Sequence, residues 1–302
     1  MNIAAITVTY NDGFKLKEWV ENYNEYNDAI TRHIIVDNGS SSEYLNQVKL
    51  AFPNSIIIER HNNGGSTGAY NDGIRKALEY PEIDSILLVG NDIKISSSSI
   101  NALHDFLNSD ERFGMVAPLL LKKDSDIVEA FGCKLAGKIT SEYLYSGKHM
   151  SSIKEDTLKV DWVPGGINLS KISFYKKVGL QDEDLFMYGD EIDMCYRSKK
   201  AGFSQGVTKA SKAWHRHINP PFHHLRPTYS YYLIARNSIY LSKKHFGDFA
   251  AITWSMRKGI RFCASYIKHF NNREIRQCNF ASLKGIVHGL KGYMNNEFNQ
   301  SC

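Results

Sequence analysis

Residues 3–12 read IAAITVTYND. Small and β-branched apolar residues run without a break to Thr9, and the chain then turns polar with Tyr10, Asn11 and Asp12. A run this short and this continuously apolar suits a strand covered on both faces, as in a parallel sheet. The pattern returns at residues 33–37 (HIIVD), 56–59 (IIIE) and 85–89 (SILLV), with helical character over 14–25, 41–51 and 66–80 between them. Strand and helix alternating at this spacing predict right-handed βαβ units. Ligands of such sheets collect at the carboxyl ends of the strands. Those ends carry Thr9-Tyr10-Asn11-Asp12, Asp37-Asn38-Gly39-Ser40, Asn62-Asn63-Gly64-Gly65 and Gly90-Asn91-Asp92. All are polar or glycine-rich, and all fall along one edge.

Past residue 113 the alternation loosens into short strands near 115–121, 127–131 and 158–163. A helix is expected over 191–201, closed by Gly202. Beyond Pro227 glycine and proline thin out, and the spacing predicts helices over 228–246, 249–270 and 281–293. The chain therefore divides into an α/β region, 1–224, and a helical region, 225–302. From Leu225 onward there are 12 Lys and Arg against 3 Asp and Glu, which leaves the α/β region with 25 against 29. A basic tail on a slightly acidic body suggests an anionic partner for the tail.

With 302 residues, 42% of them hydrophobic, the chain can bury a sizeable core. No apolar run approaches the ~20 residues of a spanning helix. The N-terminal run reads as a strand and not as a signal peptide. The five cysteines, Cys133, Cys195, Cys263, Cys278 and Cys302, are scattered without metal-ligand spacing. Reduced thiols in a cytoplasmic protein are the expectation.

Several segments could carry chemistry. Asp37 can accept from a nucleobase or ribose, or belong only to a capped turn. Asn63-Gly64-Gly65-Ser66-Thr67-Gly68 opens a helix without a Walker pattern; a tight helix entry explains it better than an anion loop. Asp92, at the end of a strong strand, suits Mg²⁺ or Mn²⁺ bound beside a diphosphate. Asp190, Glu191 and Asp193 fall within four residues at a helix start, where the dipole favours negative charge. One of them could also act as a general base. Trp214-His215-Arg216-His217 offers two histidines for a metal or phosphate. The tyrosines around Arg236-Asn237 read as core.

In order along the chain, these segments resemble family 2 glycosyltransferases of the GT-A fold. The carrying pieces are residues 7–11 (TVTYN), 36–40 (VDNGS), 63–68 (NGGSTG), 88–92 (LVGND), 162–166 (WVPGG), 178–180 (VGL) and 188–193 (YGDEID). The flavour is that of bacterial rhamnosyl- and galactofuranosyltransferases of surface polysaccharide synthesis. The resemblance implies a Rossmann-like, mixed but mainly parallel sheet flanked by helices, with a C-terminal helical extension. It places Thr9, Tyr10, Asn11, Asp37, Asn63, Gly64 and Asn91 at the nucleotide. Asp92 and His215 fall at a Mn²⁺ or Mg²⁺ ion, and Trp162, Gly165, Gly166 and Arg236 at the acceptor or diphosphate. Glu191 stands in the place of the catalytic base, with Asp190 beside it. The chain departs from the family twice: the Asp-x-Asp motif is reduced to Gly90-Asn91-Asp92, and the acidic pair reads Asp190-Glu191 where the family has Glu-Asp.

The implied reaction is an inverting sugar transfer from a nucleotide-diphosphate donor to a glycan or lipid-linked glycan. A nucleotide-sugar-binding partner with little activity is the competing reading, favoured only by the reduced Asp-x-Asp. A nucleic-acid module is not expected, since no reading motif accompanies the basic tail. In residues 249–270 an apolar stripe (Ile252, Met256, Ile260, Cys263, Ile267, Phe270) lies apart from most of the basic residues. Such a helix can lie on an anionic membrane at the inner face of the cell, or pack on the catalytic region. The oligomeric state, homo-oligomer included, is open.

Overall fold

The computed structural model describes residues 1–216 and 227–294. The first half contains β1 (Ile3–Thr9), α1 (Leu16–Asn24), β2 (Arg32–Asp37), α2 (Ser42–Ala51), β3 (Ile56–Glu59), α3 (Gly65–Leu78), β4 (Ser85–Val89), β5 (Ile93–Ile95) and α4 (Ser97–Asn108). Next come β6 (Phe113–Lys122), β7 (Val128–Ala130), β8 (Cys133–Leu135), β9 (Ser141–Tyr143), β10 (Thr157–Val160), β11 (Ile167–Lys171) and α5 (Ile172–Val178). The chain continues through α6 (Asp190–Lys200), β12 (Ser204–His215), α7 (Thr228–Phe246), α8 (Asp248–Lys268) and α9 (Arg273–Lys291).

The main sheet runs β10-β12-β6-β11-β4-β1-β2-β3. Strands β4, β1, β2 and β3 are mutually parallel, in the register that sets Thr9 beside Asp37. Strand β11 inserts antiparallel between β4 and β6, and β12 runs parallel to β6. The fold is the expected α/β arrangement, a mixed sheet with helices on both faces. Alternate residues of β1 serve opposite layers: Ile6 joins Ile34, Leu88 and Ile74 on one face, and Ala5 joins Leu87, Ile100 and Leu103 on the other. Helix α3 comes so close to the sheet that a Cβ on Gly73 would sit 2.4 Å from Ile6 Cγ2.

Because chain order changes direction at β1, with β2 and β3 on one side and β4 on the other, a crevice opens at the ends of β1 and β4. It is the ligand position of doubly wound sheets.

The three C-terminal helices form where expected, but α9 starts at Arg273, eight residues early. Asn272 caps it there by accepting from the Ile275 N–H at 3.1 Å. Glycine faces let α9 lie directly on α7: a Cβ on Gly285 would meet Tyr232 O at 2.4 Å, and one on Gly289 would meet Ile239 Cβ at 2.7 Å. The expected boundary at 224/225 lies outside the described residues, as do His217 and Cys302. Cys133, Cys195, Cys263 and Cys278 are free thiols. Among the described residues no helix is long and apolar enough to cross a membrane.

Candidate active site

The edge at β1, β2 and β4 is tied together by side chains of its own loops. Asn11 takes a left-handed backbone, φ 49°, which Asn tolerates better than most residues. Its Oδ1 accepts from Ser41 N–H at 3.0 Å, and its own N–H donates to Ser40 Oγ at 3.0 Å. Asn91 donates to Asp12 Oδ2 at 2.8 Å and to Thr9 Oγ1 at 3.5 Å, and Thr9 also meets the Tyr44 hydroxyl. Asp37 is buried; Oδ2 accepts from Ser40 N–H at 3.1 Å, and Oδ1 has no hydrogen-bond partner among the described residues. A buried acceptor left without a donor calls for one. A nucleobase N–H or a ribose hydroxyl has the right chemistry. Tyr10 lies half-buried on the same edge.

Asn63 and Gly64 serve mainly their own loop. Asn38 Oδ1 accepts from Gly64 N–H at 3.0 Å, and Asn63 Oδ1 accepts from Gly65 N–H and from Asn38 Nδ2, both at 2.9 Å. At the start of α3, the Thr67 N–H and hydroxyl both donate to the Phe186 carbonyl at 3.3 Å. Gly65 is required here twice over: φ is +74°, and a Cβ would fall 2.1 Å from Phe186 O. The glycine run is thus a helix entry packed against the 186 loop, and not an open anion cradle.

Across the crevice Asp92 faces His215, which arrives at the end of β12. His215 Nε2 lies 3.5 Å from Asp92 Oδ1, and its Nδ1 lies 2.9 Å from Glu129 Oε1. Lys15 Nζ reaches Asp92 Oδ2 at 3.3 Å. Burial alone would raise the Asp92 carboxyl; the hydrogen bond with His215 and the charge of Lys15 outweigh it and bring it to about 2. Burial would likewise lower His215, and Asp92 and Glu129 outweigh that, lifting it to about 9. Among the described residues no group of three or more His, Cys, Asp or Glu is disposed to hold a metal by itself. One carboxylate fits an ion whose other ligands are diphosphate oxygens and water, the usual Mg²⁺ pattern, and the imidazole would add a nitrogen ligand better suited to a transition metal.

The carboxylate pair is set by an unusual loop. Phe186, Tyr188 and Gly189 all have positive φ, at 62°, 69° and 92°. For the two aromatic residues this conformation costs free energy and must be imposed from outside. Asn237 of α7 imposes it, donating through Nδ2 to the carbonyls of Leu185, Met187 and Tyr188 at 2.8–2.9 Å. Helix α6 then begins, and Asp190 and Glu191 point toward Gly165: a Cβ there would lie 2.5 Å from Glu191 Oε1. The next residue, Gly166, accepts through its carbonyl from Gly90 N–H at 2.9 Å and lies beside His215. The Gly165-Gly166 turn therefore joins the carboxylate pair to the Asp92–His215 pair.

Burial raises the carboxyls of both Asp190 and Glu191, and the charge of Glu191 raises Asp190 further. Glu191 is partly held down by a hydrogen bond from Asp190. The pair therefore holds a proton to higher pH than free carboxyls would, with Asp190 the more strongly raised of the two. The phenol of Tyr70 rises through burial and through the charges of Asp92, Asp190 and Glu191, so all three acids share one electrostatic neighbourhood.

Asp193 faces the other way, into the protein. It is fully buried and accepts from Arg197 Nε at 2.7 Å, Lys244 Nζ at 2.8 Å and His245 Nε2 at 2.9 Å. Its role is to fasten α6 to the end of α7.

Two expected site residues are placed differently by the structure. Arg236 does not face an acceptor or a diphosphate. It is completely buried, and its guanidinium donates to the carbonyls of Asp184, Leu185 and Met294 at 2.9–3.2 Å, underneath the loop that carries Asp190. A guanidinium is spent there because a loop with so many inward carbonyls needs donors. Trp162 is buried against Cys133 and Cys195 and does not form an open wall, although its Nε1 has no partner among the described residues. Sequence reasoning missed Lys15, Tyr44, Glu129 and the stitching role of Asn237. Only the Asn237 role left a trace, as half of an Arg-Asn pair.

A parallel half-sheet with a ligand edge, completed by an antiparallel insertion that brings acids and a histidine to its mouth, is the GT-A glycosyltransferase architecture. Residues 4–116 match the family model described as glycosyl transferase family 2. The chain is 26% identical over 244 residues to a low-salt glycan biosynthesis hexosyltransferase of Haloferax volcanii, covering 77% of this chain and 74% of that protein. It is 23% identical over 288 residues to an N-acetylglucosaminyl-diphospho-decaprenol L-rhamnosyltransferase of Mycobacterium tuberculosis, covering 84% of this chain and 89% of that protein. Among solved structures, GalNAc-T7 with UDP, GalNAc and Mn²⁺ superposes with a TM-score of 0.59 at 13% identity over 80% of this chain. This chain spans about half the length of that one, 48%. The chain is a glycosyltransferase whose residues 4–116 carry the family 2 pattern, and it is similar to these transferases along most of its length.

Proposed function

We propose that this glycosyltransferase moves a hexosyl unit, rhamnose or galactofuranose, from a nucleoside diphosphate to a hydroxyl of a glycan or lipid-linked glycan, with inversion, in the synthesis of a surface polysaccharide. The observation that carries this reading is the placement of Glu191 against Gly165, on the turn whose other side meets His215, the partner of Asp92. A base and a diphosphate-stabilising group on opposite sides of one small turn suit in-line displacement. The acceptor hydroxyl gives its proton to Glu191 as its oxygen attacks the anomeric carbon, and the bond to the diphosphate breaks on the far side. Asp190 shares the buried neighbourhood of Glu191 and helps set how readily the pair takes that proton.

Asp37, Tyr10, Asn11 and Thr9 hold the nucleoside, with Asn91 keeping the β1 and β4 loops in register. Asn38, Asn63 and Gly64 form the adjoining wall. Asp92 and His215 hold a divalent cation, which when bound neutralises charge on the departing diphosphate. The Mn²⁺ bound with UDP in the GalNAc-T7 structure supports a divalent cation accompanying the donor in this fold. The hydrocarbon-linked diphosphate in the name of the mycobacterial relative supports a lipid-linked acceptor.

Glu191→Gln tests the assignment. Donor affinity, read by thermal shift with dTDP-rhamnose and UDP-galactofuranose, stays near wild type, while turnover falls by ~10²–10⁴. Turnover close to wild type in this variant would remove Glu191 from the role of base.

A further inference from the structure

Among the described residues, nothing covers one face of helix α8. Ala251 and Ser255 are buried toward α7 and α9, and Trp254 and Phe262 pack beside them. On the opposite side Phe249, Ile252, Met256, Ile260 and Ile267, with Phe270 just past the helix end, are 50–81% exposed. Their spacing of three, four or seven residues makes one continuous stripe along the helix. Exposed Arg257, Arg261 and Lys268 line one flank, and no Asp or Glu occurs between Phe249 and Phe270. On α9, exposed Phe280, Val287 and Leu290 stand among Arg273, Lys284 and Lys291. A contiguous exposed apolar stripe edged by cations marks a contact surface.

We propose that this face of α8 seats the enzyme on an anionic lipid bilayer, the stripe entering the headgroup boundary and Arg257, Arg261 and Lys268 meeting lipid phosphates. The charge pattern selects this occupant. A second copy of the chain would bring two acid-free basic faces together, whereas an anionic bilayer offers apolar depth and opposite charge in the order the helix presents them. The stripe is a physical feature separate from the catalytic residues, so the inference does not depend on the donor, the base or the cation.

Point substitutions test it, because removing α8 and α9 would uncover α7. Wild type, Ile260→Asp/Ile267→Asp and Arg257→Ala/Arg261→Ala/Lys268→Ala are sedimented with phosphatidylcholine vesicles, with and without phosphatidylglycerol. Wild type is expected to sediment only with the anionic vesicles, and less so as salt rises. The triple variant should bind on the order of 100-fold more weakly, and the double variant should remain in the supernatant. Melting temperatures and nucleotide-sugar thermal shifts should match wild type for both variants. Wild type that ignores anionic vesicles, or a double variant that sediments like wild type, overturns the proposal. So does a concentration-dependent dimer that both variants abolish while vesicle binding is unchanged. Failure of the transferase reading would appear separately, as absent turnover in a protein that still binds vesicles.

Discussion

Replacing Asp193 by Asn keeps its shape and removes one charge from a site with no exposure to solvent. Two cations, Arg197 and Lys244, and the imidazole of His245 lie 2.7–2.9 Å from that carboxylate. At an effective dielectric near 20, one such pair carries about 6 kcal/mol of gross attraction. Desolvation consumes most of it, and breaking one partner of a buried pair leaves a net loss of about 3–5 kcal/mol. Arg197 and Lys244 keep other acceptors, the carbonyls of Val178 and Leu180 and the carboxylate of Asp182, and their side chains are 22% and 30% exposed. The lower figure therefore applies. With an unfolding entropy of about 2.1 cal/mol/K per residue, 3 kcal/mol corresponds to a fall of roughly 5 °C in melting temperature.

Differential scanning calorimetry at pH 7 reads this directly, and a pH series gives a second test. Burial would raise the Asp193 carboxyl; the hydrogen bond from His245 and the charges of Arg197 and Lys244 outweigh it and hold it well below the usual range. A carboxylate depressed in the folded state stabilises fully above its unfolded pKa of about 3.9, and that stabilisation is lost as pH falls through the folded value. The deficit of the variant should be constant from pH 7 to about 5 and shrink below about 4. A variant within about 1 °C of wild type at pH 7 would refute the reasoning, as would a deficit that widens on acidification.

Two further substitutions separate positioning from packing. Gly165→Ala places a methyl where Glu191 Oε1 now lies, against the far end of a flexible side chain. Melting temperature and donor affinity should hold, while kcat drops by up to ~10² from displacement of the base; unchanged kcat would show that Glu191 works from another position. Arg236→Met withdraws the donors from the Asp184, Leu185 and Met294 carbonyls. It should cost about 2–4 kcal/mol and lower kcat with little effect on donor binding, whereas a selective loss of donor affinity would return Arg236 to the diphosphate.

The parallel half of the fold was legible because its signals are local. A buried strand needs an unbroken apolar run, so residues 3–9 and 85–89 declare themselves without reference to the rest of the chain. The polar strand ends followed from the same reading, and with them the edge that holds Thr9, Asn11, Asp37 and Asp92. Helix α6 was legible from its acidic first turn. Strand β11 was not, since INLSK has no strong pattern of its own and becomes a strand by pairing with β4 and β6.

Within the acidic cluster the sequence determined that three carboxylates stand at one helix start, and the family resemblance singled out Glu191, with Asp190 beside it, as the candidate base. Only the tertiary structure decided their division of labour. A helix turns about 100° per residue, so neighbours separate onto different faces, and what each face meets is brought by distant segments. Gly165 receives Glu191, while Lys244 and His245 claim Asp193. The same distance in sequence hid the work of Arg236 and Asn237, whose donors hold the loop before Asp190 from about fifty residues away. Residue type and spacing announced an active site with a carboxylate pair; long-range contacts, which leave no local pattern, set which atoms face the substrate.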